Sequence, residues 1–174
     1  GYGDPTLTLE RLWLLQRELR ARGLGAVAGA LALDAGHFAA SPGFADFEPG
    51  GDFDDAPEAA YNAPPGALIA NFNALPLRFR ADAGAALAVP EVAPPSGMRF
   101  ESALTAGAGA CADWRDGLRF DWRDARLRVA GVYPAACGAR AAALNLLPQD
   151  ATFGWLFRGL WAEGGGAIAR DAAA

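Results

Sequence analysis

The segment from Cys111 to Cys137 constrains the fold of this chain more than any other stretch. Residues 118–122 and 126–132 each alternate polar with apolar side chains, a pattern typical of half-buried strands. Residues 123–125 between them are short enough for a hairpin loop. If the two strands pair, the bracketing cysteines, which are the only two in the chain, come together. We therefore expect a disulfide worth about 3–4 kcal/mol of stability; the alternative is two free buried thiols.

Helical patterns lie near both ends of the chain, and strand patterns lie between them. A helix is predicted over 8–22, with Thr8 as its N-cap and Gly23 as its stop. A second helix is predicted to start at Asp150 and to end at a glycine run, 164–166, that we interpret as a linker. Further strands are predicted at 27–33, 67–73, 75–81, 85–89, 100–105 and 141–147.

These elements predict an α+β fold in two parts. Residues 1–73 and 144–174 would form an α/β shell that carries the terminal helices. Residues 74–143 would form an inserted antiparallel β subdomain that carries the disulfide between Cys111 and Cys137. The hydrophobic content of 52% is sufficient for a packed core.

Composition excludes several classes of function. The chain contains no lysine, so it cannot form a Schiff base, a Walker-A phosphate site or a Ser-Lys catalytic pair. Its net charge of −5 disfavours binding to nucleic acid, which requires a basic surface. No apolar run approaches 18 residues, so no membrane span is predicted.

A search for catalytic and metal-binding residues in the sequence identifies none. The three serines lack a Gly-x-Ser-x-Gly context, and His37 is the only histidine, so neither a catalytic triad nor a typical zinc site is supported. The acidic stretch 39–60 includes Asp52, Asp54 and Asp55, which raises calcium binding as an alternative. Because the EF-hand pattern is not met, a solvated loop is the preferred interpretation. We expect no metal and no cofactor.

Two features of the sequence allow both a functional and a structural interpretation. Asp34 follows a predicted strand, a position where functional groups are common, but the same aspartate could simply cap the turn 34–37. The arginines of the ribbon at 115, 119, 123, 126 and 128 are interpreted as a solvated strand face. The chain also starts abruptly at Gly1 with no signal peptide, so we expect a fragment of a longer secreted protein.

Five segments, taken in order, resemble the S13 peptidase family, the D-alanyl-D-alanine carboxypeptidases/endopeptidases of the penicillin-binding protein 4 type. The first segment is Gly-Asp-Pro-Thr-Leu-Thr, which precedes a Trp/Leu-rich helix. The others are similar to the family's strand-Asp-loop-Phe segment, its Ala-Pro turn and its two cysteine motifs, Cys-Gly-x-Trp and Gly-x-Tyr-Pro-x-x-Cys-Gly. The matching residues here are 3–8, 31–38, 61–68, 111–115 and 131–138.

The resemblance implies a penicilloyl-serine-transferase fold in the parent enzyme. That family uses Ser-x-x-Lys, Ser-x-Asn and Lys-Thr-Gly motifs, whose serine forms an acyl-enzyme. None of these motifs occurs in this chain. By resemblance, the chain is the large insertion between the first and second motifs, and it is expected to be inactive alone and to contact the catalytic domain of the same polypeptide.

The resemblance also places Asp34 and Phe38 near the substrate cleft of the parent. An acid there would pair with the side-chain amine of diaminopimelic acid in a peptidoglycan stem peptide. The implied location is the periplasm. Two other hypotheses are a free-standing periplasmic binding module with no hydrolase parent, and a small hydrolase whose site has no recognisable motif. A serine that reacts with penicillin would favour the hydrolase, whereas a parent of single-module length would favour the binding module.

Overall fold

The computed structural model describes residues 1–38, 56–82 and 84–169. It contains two helices, α1 (Leu9–Ala21) and α2 (Gln149–Glu163). The strands, in chain order, are β1 (Ala26–Val27), β2 (Leu75–Asp82), β3 (Ala85–Pro90), β4 (Arg99–Gly107), β5 (Leu118–Arg123), β6 (Arg126–Pro134), β7 (Ala139–Leu144) and β8 (Ala167–Ile168).

Six of the strands form one sheet in the order β5-β6-β4-β3-β2-β7. All neighbours in this sheet are antiparallel except β4 and β6, which run parallel. The α+β class predicted from the sequence is confirmed. The sheet is mixed rather than purely antiparallel, because the β5–β6 hairpin places β6 and not β5 beside β4.

The hydrophobic core lies between the sheet and α2, and α1 contributes to it. Trp155 on α2 is completely buried, and its indole Nε1 donates a hydrogen bond to the carbonyl of Val92 at 3.0 Å. From α1, Leu12 enters the same core cluster, and the buried amide of Gln16 donates to the carbonyl of Phe157 at 2.8 Å. Both helices therefore pack into the core of the sheet, and side-chain hydrogen bonds tie α1 to α2 and α2 to the segment after β3. The division into a shell and an inserted subdomain stays a prediction.

Both predicted ends of α1 are confirmed. The Thr8 side chain accepts a hydrogen bond from the backbone of Arg11, and Gly23 follows the helix with a φ of +96°. The backbone N–H of Gly23 bonds to the carbonyl of Arg20, and that of Leu24 bonds to the carbonyl of Leu19, a pairing that satisfies the last helical carbonyls. Just before the helix, hydrogen bonds from the Thr6 hydroxyl and backbone N–H hold the pKa of Asp4 below its usual range.

The predictions for the central strands are confirmed, whereas those for residues 27–33 and 164–166 are wrong. Of the predicted strand 27–33, only Val27 forms β structure, as part of β1, which pairs in parallel with Ala167–Ile168. The rest of that segment is mostly exposed and small, so it offers little apolar surface to bury. The glycine run at 164–166 is not a linker, because it leads directly into β8.

The segment 67–73 is not a strand. It ends in a short 3₁₀ turn in which Asn71, Phe72 and Asn73 all have positive φ angles, at 49°, 57° and 53°. Asparagine tolerates this region because its short amide can hydrogen-bond locally. The Asn71 amide donates to the carbonyl of Ala74 and accepts from the N–H of Leu9. These side-chain bonds outweigh the apolar pattern that predicted an extended backbone.

The region around the start of α2 also differs from the sequence prediction. β7 ends at Leu144 rather than at residue 147, because the next residue, Asn145, turns to donate its N–H to the carbonyl of Glu58 at 2.8 Å. The N-cap of α2 is Pro148, and Asp150 lies within the first turn, where the helix dipole favours an acid.

Candidate functional site

The loop from Asp34 to Phe38 carries the two residues that resemblance associates with substrate. Asp34 is exposed, and its Oδ1 accepts a hydrogen bond from the backbone N–H of Gly36 at 2.8 Å. The amino group of Gly1 donates to the Asp34 carbonyl. The carboxylate therefore shapes the turn, as the structural interpretation predicts, while its second oxygen has no hydrogen-bond donor among the described residues.

Three aromatic rings, those of Tyr2, His37 and Phe38, cluster where this loop meets the start of the chain. The His37 ring lies 4.3 Å from the Tyr2 ring and 4.9 Å from the Phe38 ring, measured between centroids. Tyr2 is 79% exposed and Phe38 is 50% exposed. The cluster offers one negative charge and a wide apolar surface to solvent, which suits binding rather than bond cleavage. The role of Asp34 and Phe38 in substrate binding stays a prediction.

The predicted disulfide between Cys111 and Cys137 is present. The Cα atoms are 5.2 Å apart, within the usual range for a disulfide. It ties the loop before β5 to the turn after β6, and Cys137 is buried. The loop is further held by the Trp114 ring, which packs edge-on against Phe79 at 4.8 Å and Tyr133 at 5.6 Å. Burial raises the pKa of the Tyr133 hydroxyl, and the positive charge of Arg140 lowers it by less.

A groove of about 730 Å³ lies along β5, and the sequence analysis did not identify it. One wall is β5 itself with the loop before it. The other comes from Pro57, Glu58, Asn145, Leu146 and Pro148. The two walls are distant in sequence, so no local pattern could have indicated the groove. The only signal was the repeated arginine of the ribbon, and three of those arginines, at 115, 119 and 123, line it.

The arginines of the ribbon divide into paired and unpaired groups. On the outer face, Arg126 and Arg128 both bind Glu101, at 3.2 and 2.9 Å, which agrees with a solvated strand face. At the groove, Arg123 binds Asp121 at 3.0 Å. Within the described ranges, Arg115 and Arg119 make no ion pair. The groove therefore holds two guanidinium groups that a ligand can approach.

No catalytic or metal-binding constellation is found in the described part of the chain. Ser102 accepts a hydrogen bond from the backbone N–H of Ala88, and its location is the sheet rather than a cleft. No group of three or more histidine, cysteine or acidic residues in these ranges could hold a metal ion. Ser41 and the acidic residues considered for calcium, at 52, 54 and 55, lie outside the described residues. In the same ranges, neither helix has the length and apolar character needed to cross a membrane.

Comparison with known proteins addresses the resemblance directly. The profile of the D-Ala-D-Ala carboxypeptidase 3 (S13) family matches residues 1–173. The chain belongs to the S13 peptidase family. No curated protein sequence matches it.

Solved structures show the same fold. The chain is similar to penicillin-binding protein 4 (dacB) from Haemophilus influenzae, with a TM-score of 0.60 and 19% sequence identity over 95% of this chain. A second structure of that protein, complexed with a β-lactam, gives a TM-score of 0.51 and 16% identity over 95% of this chain. The match spans 37% and 34% of those two chains, so this S13 chain corresponds to about a third of their length.

Proposed function

We propose that this S13 chain is the non-catalytic insert of a serine-type D-Ala-D-Ala carboxypeptidase/endopeptidase that acts on peptidoglycan peptides in the periplasm. The observation that carries the proposal is the family match over residues 1–173 combined with the absence of lysine from the sequence. A member of this family needs lysine for its Ser-x-x-Lys and Lys-Thr-Gly motifs. The acylating serine would therefore lie elsewhere in the parent polypeptide.

Exposed apolar side chains around α1 support contact with a further domain of the same polypeptide. Trp13, Leu14 and Leu15 are consecutive and are each about half exposed, at 48%, 50% and 47%. Large apolar side chains grouped on a surface mark interaction sites. The expected partner is the catalytic domain, because the solved relatives are nearly three times as long as the part that this chain matches.

Labelling with a fluorescent penicillin tests the proposal. We expect the 174-residue chain to remain unlabelled, because it lacks the lysine that activates the family's serine. A longer polypeptide that contains this chain together with the three motifs is expected to be labelled stoichiometrically. Gel fluorescence after denaturation measures both, with unlabelled excess penicillin as the control. Covalent labelling of the 174-residue chain would contradict the proposal, and would instead support a small hydrolase.

The Asp34 loop is proposed to recognise the amine of a diaminopimelyl residue. Asp34→Asn removes the charge but keeps an oxygen that can accept the hydrogen bond from Gly36, so the turn is retained. We expect the preference for peptides with a free amine over N-acetylated peptides to fall about twofold to fivefold, as for an exposed ion pair. The measurement is the ratio of kcat/KM values for the two peptides in the full-length enzyme.

Glu18→Gln is the matched control for Asp34→Asn. Glu18 is also exposed, on α1, where it pairs with Arg22 at 3.2 Å. Its neutralisation removes the same charge at a different place and is expected to leave the preference unchanged. An unaltered preference in Asp34→Asn, or an equal fall in both variants, would show that Asp34 does not bind the substrate amine. The assignment of the chain as an insert would then still stand on the penicillin result.

A further inference from the structure

Within the described ranges, the outer edge of β5 has no strand beside it. In an antiparallel sheet, directly opposed residues alternate between pairs that hydrogen-bond to each other and pairs that do not. The backbone N–H of Val132 donates to the carbonyl of Gly117, so Leu118 and Gly131 are a pair of the second kind. Because the two kinds of pair alternate along the strand, Phe120 and Trp122 also make no backbone hydrogen bonds to β6. Their backbone N–H and C=O groups therefore point away from β6, towards the groove. In the described ranges these groups have no partner, and an edge of this kind is a template for another strand.

The groove along this edge is bounded by a second wall. Glu58 and Leu146 lie on the wall opposite β5, so the space of about 730 Å³ is closed on two sides. That wall is rigid, because Asn145 is buried and its Oδ1 accepts a hydrogen bond from the buried amide of Asn73 at 2.9 Å. A single extended segment paired with β5 would lie between these two walls.

The side chains of β5 define the chemistry of that ligand. Phe120 and Trp122 lie on the side that packs against the core cluster, whereas Arg119, Asp121 and Arg123 lie on the other side. Asp121 is neutralised by Arg123, but Arg119 has no acidic partner among the described residues. Directly opposed strand residues with opposite charges stabilise pairing. A strand beside β5 is therefore favoured if it alternates apolar residues with an acid that faces Arg119.

We propose that this groove binds an extended segment of a partner protein, which adds to the sheet as a strand along β5. The segment carries an acidic side chain opposite Arg119 and apolar side chains beside Phe120 and Trp122. Backbone hydrogen bonds to the free edge supply affinity, and these side chains supply selectivity. The site is separate from the Asp34 loop and does not depend on the catalytic assignment.

A synthetic peptide of alternating valine and glutamate, acetyl-Thr-Val-Glu-Val-Glu-Val-Thr-amide, is the probe. Binding to the 174-residue chain is measured by NMR, from shifts of the Phe120 and Trp122 backbone amides. Two further versions carry N-methyl groups on one or the other alternate set of amides. Only one set faces β5 in a sheet, so one version is expected to bind at least about tenfold more weakly while the other binds like the parent peptide.

Charge reversal tests the side-chain part of the proposal. Arg119→Glu is expected to weaken binding of the glutamate peptide at least about fivefold. The same variant is expected to bind more tightly a peptide with lysine in place of glutamate. Arg80→Glu is the matched control, because Arg80 is exposed on β2 and does not line the groove. This control variant is expected to bind the glutamate peptide as the parent chain does.

Several results would overturn the proposal. They are the absence of amide shifts at millimolar peptide, equal binding by the two N-methylated peptides, and equal effects of Arg119→Glu and Arg80→Glu. Shifts of Trp122 caused by an N-acetylglucosamine oligosaccharide, with none caused by the peptide, would assign the groove to glycan instead. Dimerisation of the chain through β5, detected by light scattering, would also contradict a site for a separate partner.

Discussion

Replacing Trp155 with alanine is expected to lower the free energy of unfolding by about 3–5 kcal/mol. The Trp155 side chain is completely buried between α2 and the sheet, so its removal leaves a cavity that its neighbours can fill only partly. The substitution also leaves the carbonyl of Val92 without the indole donor that lies 3.0 Å away. Urea unfolding followed by circular dichroism measures the change.

Two variants separate the contributions at this position. Trp155→Phe retains most of the ring packing but loses the hydrogen bond to Val92, so a smaller destabilisation is expected. Trp13→Ala removes the same side chain from a half-exposed position on α1 and is expected to change stability by less than about 1 kcal/mol. Equal destabilisation by Trp155→Ala and Trp13→Ala would contradict the core described here.

Removing the disulfide is expected to destabilise the chain by about 3–4 kcal/mol. Cys111 and Cys137 are separated by 26 positions, and the bond restricts this loop in the unfolded chain. The double variant Cys111→Ser and Cys137→Ser should therefore unfold at a lower urea concentration than the oxidised parent. Reduction of the parent with dithiothreitol should reproduce the shift without any change in sequence.

The buried position of Cys137 calls for a second comparison. A serine there would place a hydroxyl in a buried site, so a Cys111→Ala and Cys137→Ala variant controls for polarity. We expect the alanine variant and the reduced parent to lose similar amounts of stability. An oxidised parent no more stable than its reduced form would show that the bond does not hold the loop before β5 in place.

The sequence predicted the parts of the fold that depend on local patterns. The β5–β6 hairpin followed from its period-two alternation, and both ends of α1 followed from Thr8 and Gly23. The same reasoning failed at residues 67–73, where the side-chain hydrogen bonds of two asparagines override an apolar pattern. It failed again at 27–33, where the residues are mostly small and exposed and only Val27 pairs, with β8.

The candidate sites were likewise predictable only in part from the sequence. Asp34 and Phe38 were identified by resemblance, and the structure places both on one exposed loop with His37. The groove along β5 could not be predicted, because residues 57–58 and 145–148 face β5 only after the sheet has curled. The order of strands in the sheet decides that arrangement, and strand order depends on long-range contacts that no local window contains.

The short pairing of β1 with β8 brings together the segments that precede and follow the large sheet. Ala26 and Ala167 are directly opposed, so the backbone leaves this point, builds all six strands of the large sheet and α2, and comes back alongside itself. The two ends of this excursion are therefore neighbours in space, although the large sheet and α2 lie between them in sequence. Insertions or deletions within the large sheet would therefore change its size without moving the β1–β8 pairing.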